Sequence, residues 1–430
     1  MPETRPLLTA LSSFERLQIA RGPSHQVGGA REGAQRTADC EHDQMPALTG
    51  IRFVLALWVI VHHLSGPGRM LHPLASASPV VGALIGAAFA ALTVFFAISG
   101  FVLARRYRST RWTRPRLLRY AAARFGRIYP LYLLSLVILA PIILEAARSG
   151  ELGGPWNCLS LLANHALLLQ GWVKPAVNWN TPAWSLSCEV FFYACAPLVV
   201  RGVRHPSWPR IVGVALVAFA VPVALRLTVA PPIPKVLLYF GDFVAGVAAA
   251  GAYERLGGQS GRLSYVGPWL SAAGLIGGMG LLLWRAASGW SLLFDAGVRL
   301  ASLLLVLGLA SSAGWLARML SSRRALVLGG ASYAIYILHV PLLWWFERST
   351  LHRWLPPAAA GVVYVVEVLT LSLVVWRWYE RPANEIVRSV AERHIAAHVP
   401  GPRALESAAG SRAARQAPAT GRSPACPASP

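Results

Sequence analysis

The sequence predicts an all-α polytopic membrane protein, a bundle of about ten transmembrane helices with no appended soluble domain. Three observations carry this. Of 430 residues, 55% are hydrophobic and 13% charged, with a mean hydropathy of +0.48; soluble domains carry about 25% charged residues. Ten apolar runs each approach the ~20 residues that a bilayer requires. The basic residues gather in short segments between those runs. A formal charge of +22 could suit nucleic acid, but basic clusters beside membrane helices set topology and bind lipid headgroups or a soluble anion. No nucleic-acid partner is therefore expected. All but two of the 40 basic residues are arginine; the lysines are Lys174 and Lys235.

Taken in order, residues 1–44 mix charge, Gly and Gln with no sustained apolar run and no signal-peptide core. They are expected to be disordered, and Met45, directly before the first run, is a candidate alternative start. The spans fall at 47–64, 80–104, 127–146, 183–200, 211–229, 236–252, 266–284, 296–313, 326–346 and 358–378. Residues 156–172 are apolar but hold Asn157, Asn164 and His165. They read as an interfacial or re-entrant segment; an eleventh span there would invert everything after it. The transmembrane domain is assigned to 45–385, and the Arg-, Ala- and Pro-rich tail 386–430 is expected to be largely disordered, beyond about residue 398. The five cysteines, Cys40, Cys158, Cys188, Cys195 and Cys426, show no C-x-x-C or Cys/His metal spacing. They are read as unpaired, and no metal site is expected.

Orientation follows from loop charge. If the first helix enters from the cytoplasm, the inner loops 105–126, 201–210, 253–265 and 314–325 hold 8, 3, 2 and 3 basic residues, 16 in all. The outer loops 65–79, 147–182, 230–235, 285–295 and 347–357 hold 1, 2, 1, 1 and 2, or 7. The bias places both termini inside.

The run Leu48–Leu64, LTGIRFVLALWVIVHHL, keeps an arginine near its start and two histidines at its end. An arginine at a helix centre costs roughly 2.5–3.5 kcal/mol to insert, so such groups mark functional sites. Arg52 and His63 are eleven positions apart, close to three whole turns, and share one face about 16 Å apart along the axis. His62 points about 100° away. Glu189, in the apolar run NWNTPAWSLSCEVFFY, needs a partner; a pair with His63 would fix the imidazole tautomer. Ser332, Tyr336 and His339 fall on one helical face and read as cavity lining, with Tyr333 off it. The segment Arg105–Arg127 holds nine arginines and no acid. Arg124 and Arg127, three apart at its end, form a fork suited to phosphate oxygens, while the rest reads as a topology anchor. Ser99 and Gly100 read as packing residues. Asp242 and Glu367 read as structural partners for arginines. No Walker loop, G-x-G-x-x-G or H-E-x-x-H is present. No histidine is followed five positions later by aspartate. The competing class is a polytopic transporter of a small solute, but no matching pair of Gly/Pro-interrupted helices marks two halves.

Six motifs resemble membrane-bound acyltransferase family 3, bacterial O-acyltransferases of surface glycans and natural products. They are R-x10-H at Arg52 and His63, FFAISGF at 95–101, R-x-x-R-I-Y-P at 124–130, TPAWSLSCE at 181–189, SYAIYILHVP at 332–341 and YERP at 379–382. The resemblance covers roughly 45–385. It implies an acyl-CoA donor, with acetyl-CoA first, used from the cytoplasmic side, and a hydroxylated sugar or glycoconjugate acceptor. It implies an essential His63 and Arg52, and paired arginines at Arg124 and Arg127. His63 suits a general base at neutral pH, Glu189 its support, and Arg124 and Arg127 the donor's phosphates. The expected location is the bacterial inner membrane.

A single cysteine introduced at residue 116 is expected to label only from the cytoplasmic side, and one at residue 352 only from the outside. Labelling of both from one side would reject the ten-span orientation.

Overall fold

Small residues decide which helix sits at the centre. Lys235–Arg255 reads KVLLYFGDFVAGVAAAGAYER, and its Gly and Ala positions let neighbouring backbones approach closely. In the computed structural model, which describes residues 45–173, 178–288 and 292–398, this helix is 72% buried in its apolar window. Trp208–Thr228, which offers bulkier side chains to its surroundings, is 17% buried.

The described elements run as follows: α1 Pro46–Leu64, α2 His72–Ser76, α3 Pro79–Gly86, α4 Phe89–Tyr107, α5 Arg114–Arg148, α6 Pro155–Ala166, a 3-10 turn Thr181–Ala183, α7 Trp184–Val199, α8 Trp208–Thr228, α9 Lys235–Arg255, α10 Arg262–Ser288, α11 Leu292–Ala310, α12 Gly314–Leu320, α13 Arg323–Gly330, α14 Ser332–Arg348, α15 Thr350–Trp354, α16 Pro357–Val375, a π-turn Trp376–Glu380 and α17 Arg381–His398. Among the described residues, eight helices are long and apolar enough to cross a membrane, or up to ten if each of two bent pairs is one span. Those pairs bend by 78° between Phe294–Ala310 and Gly314–Leu320, and by 56° between Arg323–Gly330 and Ser332–Arg348. Gly314, at φ +88°, holds a left-handed conformation at the first break that favours glycine.

Residues 156–172 hold only the 12-residue α6, about 18 Å long and too short for the ~30 Å core, so they add no eleventh span. Two differences from the sequence reading have physical causes. Helix α5 begins at Arg114, not 127, because hydropathy reads only its apolar part and its basic first turns continue the same 35-residue helix. The ninth run is broken at Ala331 rather than straight. Residues 386–398, ahead of the stretch expected to be disordered, are helical within α17, packed on α5. The remainder of that tail and residues 1–44 lie outside the described residues, as do Cys40 and Cys426. Cys158, Cys188 and Cys195 are free thiols.

The site is positioned by α1, which packs against α4, α11, α12, α13 and α14. A Cβ on Gly50 would sit 1.9 Å from the Leu320 carbonyl oxygen, and one on Gly329 2.0 Å from that of Thr49. The start of α1 is therefore clamped by both bent pairs. On the other side α4 crosses α9 with the same closeness: a Cβ on Gly100 would meet the Phe243 carbonyl at 2.0 Å, and one on Gly246 the Ala97 carbonyl at 2.0 Å. Gly246→Ala is expected to force these backbones apart and cost about 1–3 kcal/mol. A melting curve of the purified variant checks this, and an unchanged midpoint would refute the contact.

Candidate active site

The eleven-residue spacing on α1 delivers what helical geometry dictates. His63 is half-buried and its ring lies 5.0 Å from that of His339 on α14. His62 is exposed, with its Nδ1 3.2 Å from the Ile85 carbonyl oxygen. Hydrogen positions on the inner pair follow from the acceptors around them. His63 Nδ1 is 2.9 Å from the Val59 carbonyl oxygen and must carry a hydrogen. His339 Nδ1 is 2.6 Å from the Tyr336 carbonyl oxygen and must also carry one. His339 Nε2 then bears a lone pair, 3.3 Å from His63 Nδ1, and accepts from it. His63 is thereby fixed as the tautomer whose Nε2 carries a lone pair, the nitrogen that can take a proton.

Three turns away along α1, Arg52 lines a small cavity of about 30 Å³ with Ser185 and Glu189 of α7, Phe95 of α4, and Ser332, Tyr333 and Tyr336 of α14. Arg52 makes no ion pair or hydrogen bond among the described residues, although Glu189, Glu380 and Arg127 all lie within its electrostatic reach. Two members of the predicted stripe, Ser332 and Tyr336, sit here, and His339 stands at the level of His63. The Ser332 hydroxyl is buried without a hydrogen-bond partner among the described residues. The Tyr336 hydroxyl shares a hydrogen bond with Ser185 Oγ at 2.9 Å and donates to the Pro182 carbonyl at 3.3 Å. Tyr333, read as off the stripe, also lines the cavity and donates to the Ile128 carbonyl at 2.7 Å.

The expected His63–Glu189 pair is not formed. Glu189 accepts from the Tyr193 hydroxyl at 3.1 Å and from Ser99 Oγ at 3.5 Å. The reason is depth. Asn180 bonds the Ile337 carbonyl near the level of His339. Nine residues of helical descent then carry Glu189 about 13 Å further, to the level of Arg52. Ser99 thus does more than pack, while Gly100 does serve close approach.

Arg124 and Arg127 do not form a fork. Arg127 is ion-paired with Glu380, whose side chain is 4% exposed, and its guanidinium lies 5.1 Å from the Tyr333 ring centroid. Arg124 points to the other side, over the rings of Tyr193 (5.4 Å) and Tyr120 (5.8 Å). It helps line a cleft of about 550 Å³ at the arginine-rich end of the bundle, with Arg106, Arg116, Arg119 and Arg388 among aromatic Tyr107, Trp112 and Tyr120. The one acid in that lining, Glu392, is paired with Arg119 at 2.9 Å. The acid-free segment is answered from elsewhere: Glu254 holds Arg105 and Arg108, Glu392 holds Arg119, and Glu380 holds Arg127. Asp242 pairs with Arg299 at 2.6 Å, as expected. Glu367 has no arginine partner among the described residues, because it is half-exposed on α16, away from the paired cations.

Sequence reasoning missed the roles of Glu380 and Tyr193. Tyr193 stands at i+4 from Glu189, a spacing that a helix brings together. Glu380 needed the π-turn, which no local pattern announces. Outside the spans, His165 of α6 is buried with its Nδ1 2.8 Å from the Leu161 carbonyl; burial pushes its pKa below the ordinary value.

Comparison with known proteins matches residues 45–377 to the family described as an acyltransferase domain. Acyltransferase MdmB of Streptomyces mycarofaciens is 32% identical over 234 residues, 48% of this chain and 57% of that protein. The match thus spans little more than half of that relative's length. No solved structure matches.

Arg127→Ala leaves Glu380 buried without its cation and is expected to cost about 3 kcal/mol of stability. Arg124→Ala, which breaks no ion pair, is expected to cost under about 1 kcal/mol. Melting temperatures of the two purified variants check this; equal losses would show that the two arginines are not divided as described.

Proposed function

The chain belongs to membrane-bound acyltransferase family 3 and is a membrane acyltransferase; on that premise we propose that it moves an acyl group, acetyl first, from acyl-CoA to a hydroxyl of a sugar-containing acceptor. The acceptor is a cell-surface polysaccharide or a glycosylated metabolite. The observation that carries this reading is the His63–His339 pair. An alcohol attacks a thioester poorly until a base takes its proton. His63 Nε2, with Nδ1–H held by Val59 and His339, is the base. As the acceptor oxygen bonds to the thioester carbonyl carbon, its proton passes to Nε2. The carbon–sulfur bond then breaks, and the thiolate of CoA leaves and recovers a proton from the imidazolium. The imidazolium gains from the same two acceptors, since hydrogen bonds from a charged donor are stronger.

The cleft supports the donor assignment. Its arginines suit the phosphates of CoA, and the stacked pair Tyr107–Trp112, with centroids 5.6 Å apart, offers a face for the purine. The positive-inside bias assigns this end to the cytoplasm, where CoA esters are made, and the membrane is read as the bacterial inner membrane with both termini inside. Arg124 keeps the donor-binding role, and Arg127 holds the floor beside it through Glu380. Arg52 and Glu189 line the path between cleft and histidines, and the donor's arm must span the roughly 16 Å from Arg52 to His63. MdmB is named an acyltransferase, which agrees with acyl transfer.

His63→Ala is expected to lower transfer by about 10²–10⁴-fold, the range for losing a positioned base. His62→Ala should do far less. Mass spectrometry of glycans and small metabolites from cells carrying each variant reads the product. Normal product with His63→Ala, and loss with His62→Ala, would reject the assignment.

A further inference from the structure

A second polar cavity lies between α4, α8, α9 and α11, outside the site described above. It is lined by Phe89 and Thr93 of α4, Arg226 of α8, Tyr239 and Asp242 of α9, and Asp295 and Arg299 of α11. Its two carboxylates are already engaged: Asp242 accepts from Arg299 Nε at 2.6 Å, and Asp295 pairs with Arg226 at 2.7 Å. What remains is a set of donors. Arg299 is 5% exposed, and its Nη1 is buried with no hydrogen-bond partner among the described residues. The hydroxyls of Thr93, itself 6% exposed, and Tyr239 line the same space and make no hydrogen bond among the described residues. A buried donor without an acceptor costs roughly 1–3 kcal/mol; Arg299 Nη1 is one, and with two uncommitted hydroxyls facing the same space it asks for an occupant.

Charge says what kind. Arg285 lies over the Phe89 ring at 4.8 Å, makes no ion pair among the described residues and acts electrostatically on Asp295. Three guanidiniums thus lie around two carboxylates, an excess of one positive charge at this end of the bundle. We propose that this cavity binds a single monovalent anion of chloride size. Its volume of about 40 Å³ is above the ~10–15 Å³ that one water needs and suits a small ion better than a phosphate or an organic carboxylate. An anion accepts from all three donors and cancels the excess charge. A water accepts from two at most and cancels nothing. The site is independent of the donor and acceptor readings. It sits beside the reaction path: Tyr239 packs edge-on against Phe96 with centroids 5.5 Å apart, and Phe96 lines the Arg52 cavity.

The test uses the purified full chain in detergent at fixed ionic strength, with chloride replaced stepwise by gluconate. Unfolding is read by a thiol-reactive dye on buried Cys188. Chloride is expected to raise the melting temperature saturably, by about 2 °C, and bromide to substitute for it. The double variant Thr93→Val/Tyr239→Phe removes two donors and keeps both ion pairs. It should melt near the wild type in gluconate and lose most of the halide shift. Equal melting of the wild type in chloride and gluconate would overturn the proposal, as would an undiminished halide shift in the double variant. If the double variant does not fold, Tyr239→Phe alone should halve the shift or more; a full shift there overturns it equally.

Discussion

The ion pair of Arg127 with Glu380 sets the electrostatics of the whole site. Four ionisable groups lie within reach of one another at this level of the bundle: Arg52, Arg127, Glu189 and Glu380. Their charges balance, but only one pair is in direct contact. Because Glu380 occupies Arg127, the second guanidinium and the second carboxylate are left lining a cavity with no ion pair of their own. In a low-dielectric interior an unpaired charge is tolerated only when the surrounding charges compensate it. Removal of Glu380 would leave two guanidiniums against one carboxylate, and Arg52 would be drawn to Glu189 instead of lining the cavity. The π-turn that swings Glu380 inward is therefore as much a part of the site as the helices that carry Arg52.

How much of this the sequence could reveal depends on whether the relation lies within one helix or between two. The common face of Arg52 and His63 needs only the 3.6-residue period, and the structure places them so. The Ser332–Tyr336–His339 stripe is legible for the same reason. The partner of Glu189 is not, because its depth depends on where α7 starts. That start is fixed by the Asn180 bonds to Ser135 and Ile337. No periodicity in 183–200 encodes that height. The fork of Arg124 and Arg127 failed for a related reason. Positions three apart are neighbours on a helix, but long side chains on neighbouring positions follow their partners. Arg127 follows Glu380, which is 253 residues away, and Arg124 turns to Tyr193.

Span counting shows the same division. Hydropathy locates apolar runs, and eight of them are continuous helices. It cannot show that α5 continues outward through its arginines, or that two runs are bent. One bend coincides with a contact between backbones and the other with a left-handed glycine. Gly329 lies against Thr49 where α13 gives way to α14, and Gly314 takes a positive φ where α11 gives way to α12. These bends bring Leu320 and Gly329 onto the first turn of α1. The helix carrying both Arg52 and His63 is thereby gripped at one end by close packing and at the other by the contact of His63 with His339.

The cavity sizes constrain how the proposed reaction proceeds. The basic cleft, at about 550 Å³, lies in the range of ligand-sized pockets. The space beside Arg52, at about 30 Å³, holds one water and no acyl arm. On the proposed reading, the path from cleft to His63 must therefore widen when the donor enters. The contacts that close it between α14 and the start of α7 are specific: Tyr336 bonds to Ser185 and to the Pro182 carbonyl. Both are neutral–neutral hydrogen bonds, worth about 0.5–1.5 kcal/mol net each. The ion pair beside them is the costlier contact to break. Opening is therefore easiest between α7 and α14, with Arg127 and Glu380 staying joined as the fixed floor. Widening along that seam moves Glu189 and Ser185 away from α14 but leaves His339 on His63, since both belong to the α1–α14 side. The base thus keeps its tautomer while the path to it changes.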